Sequence, residues 1–97
     1  MSLALLGYAH ARLGERSQAL RVLRQLEAAS KQSYTPAFSF AVVYAGLGEK
    51  DQAFASLEKA YGERTSRLGY LKVEPLWDPL RTDPRFADLV RRIGFPP

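Results

Sequence analysis

The stretch LGERSQAL at residues 13–20 returns, little changed, as LGEKDQAF at residues 47–54. The two copies lie 34 residues apart. Sliding the chain by that distance against itself pairs Ala11 with Ala45, Leu13 with Leu47, Gly14 with Gly48, and Glu15 with Glu49. Gln18 also meets Gln52, Ala19 meets Ala53, and Leu23 meets Leu57. Arg16/Lys50, Ser17/Asp51 and Leu20/Phe54 keep their character. These positions have mechanical jobs. A glycine after an apolar helical stretch is the residue best suited to a left-handed helix stop. An acid just beyond it complements the positive start of the next helix. A small alanine four residues before a leucine leaves room for another helix to approach. Two helices joined by a tight glycine turn, repeated at this period, make a helical-hairpin array.

The composition sets bounds around that reading. A chain of 97 residues forms one small domain, or a piece of a longer protein. Hydrophobic residues make up 46% and charged residues 25%, as in soluble globular chains. No apolar run approaches the roughly 20 residues that span a bilayer. SLALL, near the start, lacks both a basic leader and a cleavage pattern. With no cysteine there is neither a disulfide framework nor a thiolate metal site, which fits a cytoplasmic location. The net charge of +4 is spread unevenly. Residues 1–32 carry five Lys/Arg against two acids, residues 33–62 two against three, and residues 63–97 seven against five. No run of adjacent cations exceeds Arg91-Arg92, and acids interleave them. That pattern describes a solvated surface, not the concentrated strip of a nucleic-acid binder.

Helical periodicity predicts a first helix over 2–13 and a second over 16–30. The second should bury Ala19, Val22, Leu23 and Leu26 and expose Arg21, Arg24 and Gln25. KQSYTPA connects to a third helix, with Thr35 as N-cap and Pro36 opening it. That helix runs to 47, and a fourth runs from 50 to 61 or 62, burying Ala53, Phe54, Leu57 and Ala60. Beyond it the pattern breaks. Another step of 34 from Ala53 lands on Ala87, inside DPRFADLVRRIG. There Asp83 caps, Pro84 opens a helix through 93, and Gly94 stops it. The preceding segment holds Pro75 and Pro79, which preclude a long regular helix. A short helix near 66–71 and a single turn near 76–80 are expected instead. Leu71, Leu76, Trp77, Leu80, Phe86 and Leu89 should then cover the exposed end of helix four.

The period and these residues resemble the tetratricopeptide repeat family. The family's Trp-x-x-Leu-Gly-x-x-Tyr stretch falls on Leu3, Leu6, Gly7 and His10, then on Ala37, Phe40, Ala41 and Tyr44. Its Ala-x-x-x-Phe stretch falls on Ala19 with Leu23 and on Ala53 with Leu57. The chain departs from the pattern by lacking Trp at both first positions, by His10 in place of Tyr and by Ala41 in place of Gly. Lys31 and Thr65 stand where the closing proline belongs. The resemblance implies an all-α fold of antiparallel hairpins in a right-handed superhelix. Repeat one would span 2–31, repeat two 35–64, and an irregular capping segment 65–97. YLKVEPLWDPLRTDPRFADLVRRIG is also similar to the ending of bacterial repeat proteins in which the repeats follow a winged-helix, Ser/Thr kinase or adenylate cyclase domain. On that resemblance the chain is the C-terminal module of a bacterial signalling or transcription regulator.

No catalytic set emerges. His10 is the sole histidine and occupies a place where the family packs an aromatic. One imidazole without cysteine makes no metal site of the usual ligand count. No nucleophile motif surrounds Ser2, Ser17 or Ser30, and Asp78 and Asp83 each precede a proline, as capping residues do. The chain is therefore read as a non-enzyme with no cofactor and no metal. The resemblance places Ala4, Tyr8, Ala11, Arg12, Thr35, Phe38, Ser39, Val42 and Ala45 along a concave groove. Family members that grip a carboxylate tail use Lys and Asn there, whereas this apolar, aromatic-edged set suits a partner's helix or internal segment. Packing inside the array is the competing role for Tyr8 and Phe38. A second expectation is a homodimer, because the apolar residues of helix one wrap too far round it for one neighbour to cover, leaving Leu3, Leu5 or Leu6 for self-association. No nucleic-acid or membrane partner is expected. Related arrays read RNA one base per repeat, and two units would read almost nothing.

Overall fold

In the computed structural model, residues 3–32, 37–63 and 75–93 are described. Among them are five α-helices and one 3₁₀ segment, and no strand. The α-helices are α1 (Leu3–Arg12), α2 (Arg16–Gln32), α3 (Ala37–Leu47), α4 (Lys50–Gly62) and α5 (Pro84–Ile93), and the 3₁₀ segment is Pro75–Leu80. The fold is all-α. Thr35, Pro36, the short helix expected near 66–71 with Leu71, and the Gly94 stop lie outside the described residues.

The two glycines do what their places demand. Gly14 and Gly48 have φ of 82° and 75°, in the left-handed region. Each turn then closes with the same pair of bonds. Glu15 N–H donates to the His10 carbonyl at 2.8 Å and Gly14 N–H to that of Ala11 at 3.1 Å. Glu49 donates to Tyr44 at 3.1 Å and Gly48 to Ala45 at 3.2 Å. These bonds satisfy carbonyls that a helix end leaves open. Glu15 and Glu49 stand immediately before α2 and α4, as expected, and their carboxylates bond other side chains. Glu49 sits at the N-cap of α4 but makes no side-chain cap bond; its carboxylate takes Arg16 at 2.6 Å. Glu15 takes His10 Nδ1 at 2.8 Å, so His10 braces the first turn instead of packing as an aromatic.

Packing follows the hairpin order. α1 lies against α2 and α3, α2 also touches α3, and α3 lies against α4. The predicted stripes are buried: Ala19, Val22, Leu23 and Leu26 of α2, and Ala53, Phe54, Leu57 and Ala60 of α4. α3, the central helix, buries seven of its eleven residues and therefore shows no polar face. The carboxylate of Glu63, just past α4, accepts the Ala37 N–H at 3.3 Å, placing a negative charge at the start of α3.

The C-terminal part caps the array in a different place from the one expected. Trp77, Leu80, Phe86 and Leu89 are buried, but the 3₁₀ segment packs chiefly on α3, while α5 packs on α4. Pro79 lies inside the 3₁₀ segment, short enough to lose one N–H without harm. Asp83 caps α5 by accepting the Arg85 N–H at 2.9 Å. On α5 the expected Phe86 and Leu89 face inward. Ala87 is exposed, and Phe86, 33 residues after Ala53, takes the buried place.

These contacts give two expected results. Ala53 is fully buried, so Ala53→Leu should lower unfolding free energy by about 1–3 kcal/mol through overpacking. Gly48→Val meets open space, and its cost, about 1–2 kcal/mol, comes from the backbone alone. Urea denaturation of both variants checks the pair, and parent-like midpoints would contradict this account of the second hairpin.

Candidate interaction surface

The residues expected to line a groove separate into three groups. Ala4, Phe38, Val42 and Ala45 are buried in the core and do not form an open lining. The reason for Phe38 is direct: its ring meets that of Trp77 edge-on, centroids 5.4 Å apart, so the chain's own 3₁₀ segment covers it. Ala45 and Val42 belong to the fully packed middle of α3. Tyr8, Ala11 and Ser39 are half-buried and Arg12 is exposed, so these four retain accessible surface. Thr35 lies outside the described residues.

The self-association set divides as well. Leu3 packs partly against the core. Leu5 and Leu6 keep 38% and 40% of their surface, and Leu13, beside them at the turn, keeps 75%. α1 and the turn after it thus carry three large apolar side chains in contact with solvent.

The arginines of α5 stay solvent-exposed, as their interleaving with acids suggests, and each meets a carboxylate. Arg85 donates to Asp51 of α4 at 2.8 Å and lies over the Phe54 ring at 4.6 Å. Arg92 donates to Glu58 of α4 at 2.9 Å and lies over the Tyr61 ring at 5.8 Å. Tyr61 returns a bond, its hydroxyl donating to the Arg92 carbonyl at 3.2 Å. Each element of this double clamp recurs after seven residues: Asp51/Glu58, Phe54/Tyr61 and Arg85/Arg92. Seven residues are two turns, so all three pairs stay on facing stripes. The clue was present in the sequence, because Asp51 and Arg85, like Glu58 and Arg92, are one repeat period of 34 apart.

Two carboxylates respond to these partners. The Arg92 guanidinium holds Glu58 below its ordinary range, mainly by hydrogen bonding. Asp83, bonded first by the Arg85 side chain and then by its backbone N–H, is lowered to about 2. Both therefore bind fewer protons folded than unfolded. Their contribution to stability is complete above the ordinary carboxylate range and is lost as pH falls through it toward about 2. An acid titration followed by circular dichroism should show destabilisation in that window, and Asp83→Asn should flatten it.

Among the described residues, no three His, Cys, Asp or Glu side chains converge as a metal site, and no helix is long and apolar enough to cross a membrane. The surface offers contact chemistry: apolar side chains on α1, partly open positions along α1 and α3, and arginines fixed by acids. In comparisons with known proteins, no family model, no curated protein and no solved structure matches the chain.

Proposed function

We propose that this chain is a protein-interaction scaffold of the tetratricopeptide type, serving as the C-terminal module of a bacterial signalling or transcription regulator. The observation that supports a contact role is the apolar surface of α1 and the turn after it, where Leu5, Leu6 and Leu13 are exposed and Tyr8 and Ala11 are partly open. Exposed apolar patches on soluble domains mark contact sites. A partner helix lying along Tyr8, Ala11, Arg12 and Ser39 would use the helix-in-groove mode. Photo-crosslinkers placed at Tyr8 and Ser39, with Gln52 of α4 as control, test this in the full parent protein. One recurrent adduct at the first two positions supports the reading, and equal labelling at all three removes it.

Self-association through α1 is the second reading, favoured by the same leucines. Light scattering over a dilution series should then show a dimer that Leu6→Glu and Leu13→Glu dissociate. A monomer at every concentration, with α1 protected from hydrogen exchange, counts against it.

A further inference from the structure

The two parts of the cap are held in different ways. The 3₁₀ segment is fixed on α3 through Trp77 and Leu80, both fully buried. α5 buries Phe86 and Leu89, with Val90 and Ile93 half-buried, and its polar ties to α4 all lie at the rim. Arg85 reaches Asp51 and the Phe54 ring; Arg92 reaches Glu58 and the Tyr61 ring. All four charged side chains are exposed, so water and salt compete for both pairs. The link between the two parts is short, residues 81–83. Across it Arg81 lies over the Phe86 ring at 5.4 Å while its Nε donates to Asp78 of the 3₁₀ segment at 2.7 Å.

α5 is ten residues long. Helices under about 12–15 residues are marginal in water without a surface to pack on. Off α4 this helix therefore has nothing to hold it wound, and it is released as a whole or not at all. We propose that α5 is a latch, opening and closing on α4 as one unit while the two hairpins and the 3₁₀ segment stay folded. Closed, it keeps the Phe54 ring buried beneath Arg85. Open, α4 presents Phe54 and Tyr61 on a stripe with Asp51 and Glu58, a face that the closed form withholds from contact. The two exposed ion pairs and their stacked arginines set how often it opens. The latch shares no residue with the α1 and α3 positions above, so the two readings fail separately.

Native-state hydrogen exchange of the full chain, read by NMR as urea is raised below the unfolding transition, is the test. Amides from Asp88 to Ile93 donate to carbonyls within α5, so they report its opening. They should share one protection, about tenfold or more below that of the α3 core. Their exchange should also respond weakly to urea, because releasing one short helix exposes little surface. D51N/E58Q removes both cross-helix charges from exposed positions and should speed α5 exchange by about tenfold. Trp77 emission of that variant should match the parent's, since the 3₁₀ segment stays on α3. Equal protection and equal urea slopes for α5 and α3 overturn the inference, since the chain then opens only as a whole. Protection that falls residue by residue toward Ile93 overturns it too, as that is fraying. So does α5 exchange unmoved by D51N/E58Q, or a Trp77 emission that shifts with it.

Discussion

Trp77→Ala should be the most damaging single truncation in the molecule, lowering unfolding free energy by about 3–5 kcal/mol. The side chain is fully buried and is among the largest in the core. It fixes the 3₁₀ segment to α3 through the edge contact with Phe38, so its loss leaves a cavity and also frees the cap from the central helix. A small domain holds only about 5–15 kcal/mol in total, so the alanine variant stands near the limit of folding. Trp77→Phe keeps most of the ring volume and should fall between it and the parent. Because Trp77 is the sole tryptophan, its fluorescence reports cap docking directly. Trp77→Ala with parent-like urea stability would mean that the segment does not sit on α3.

Gly46→Val should come next, through a different cause. A Cβ at Gly46 would lie 2.9 Å from a Tyr8 ring carbon, 3.1 Å from the Tyr8 carbonyl oxygen and 3.2 Å from the Ala11 Cβ. The carbonyl belongs to the backbone of α1, so the helix itself must move. Replacing glycine inside a helix ordinarily gains up to about 1 kcal/mol in propensity, while overpacking costs about 1–3 kcal/mol. The crowding term wins, and Gly46→Val should be destabilising by about 1–3 kcal/mol. Gly62, at the end of α4, is the control: nothing stands within 4 Å of its Cβ position. Gly62→Ala should be neutral or stabilising by up to about 1 kcal/mol. Thermal melts of the two variants moving in opposite directions would establish that α1 and α3 touch at Gly46; a stabilised Gly46→Val would refute it.

Much of this architecture was readable because it rests on local chemistry. Gly14 and Gly48 follow apolar runs and no other residue type adopts their φ so cheaply, so both turns could be placed from sequence. The α2 and α4 stripes follow from a helical period, and Asp83-Pro84 marks the start of α5 by capping rules that need no tertiary contact. Candidate interaction residues were less legible. The family resemblance assigns Phe38, Val42 and Ala45 to a groove by position, yet position does not say what lies above them. Here Trp77, 39 residues farther along the chain, covers Phe38. In α5 the expected Phe86 and Leu89 are buried, while Ala87, where the repeat period lands, is exposed, because the period alone does not say which face meets α4.

By itself, then, the sequence determined the number of hairpins, their glycine turns, and the buried stripes of α2 and α4. Tertiary structure alone decided which apolar faces are covered. It closed Phe38 beneath Trp77, left Leu6 of α1 and Leu13 of the following turn in solvent, and fixed Arg85 and Arg92 on α4. The physical reason is range. Turn and helix preferences are set by neighbours within about four residues, whereas burial and ion pairing depend on which distant segment arrives. A charge or a leucine carries no mark of its eventual partner.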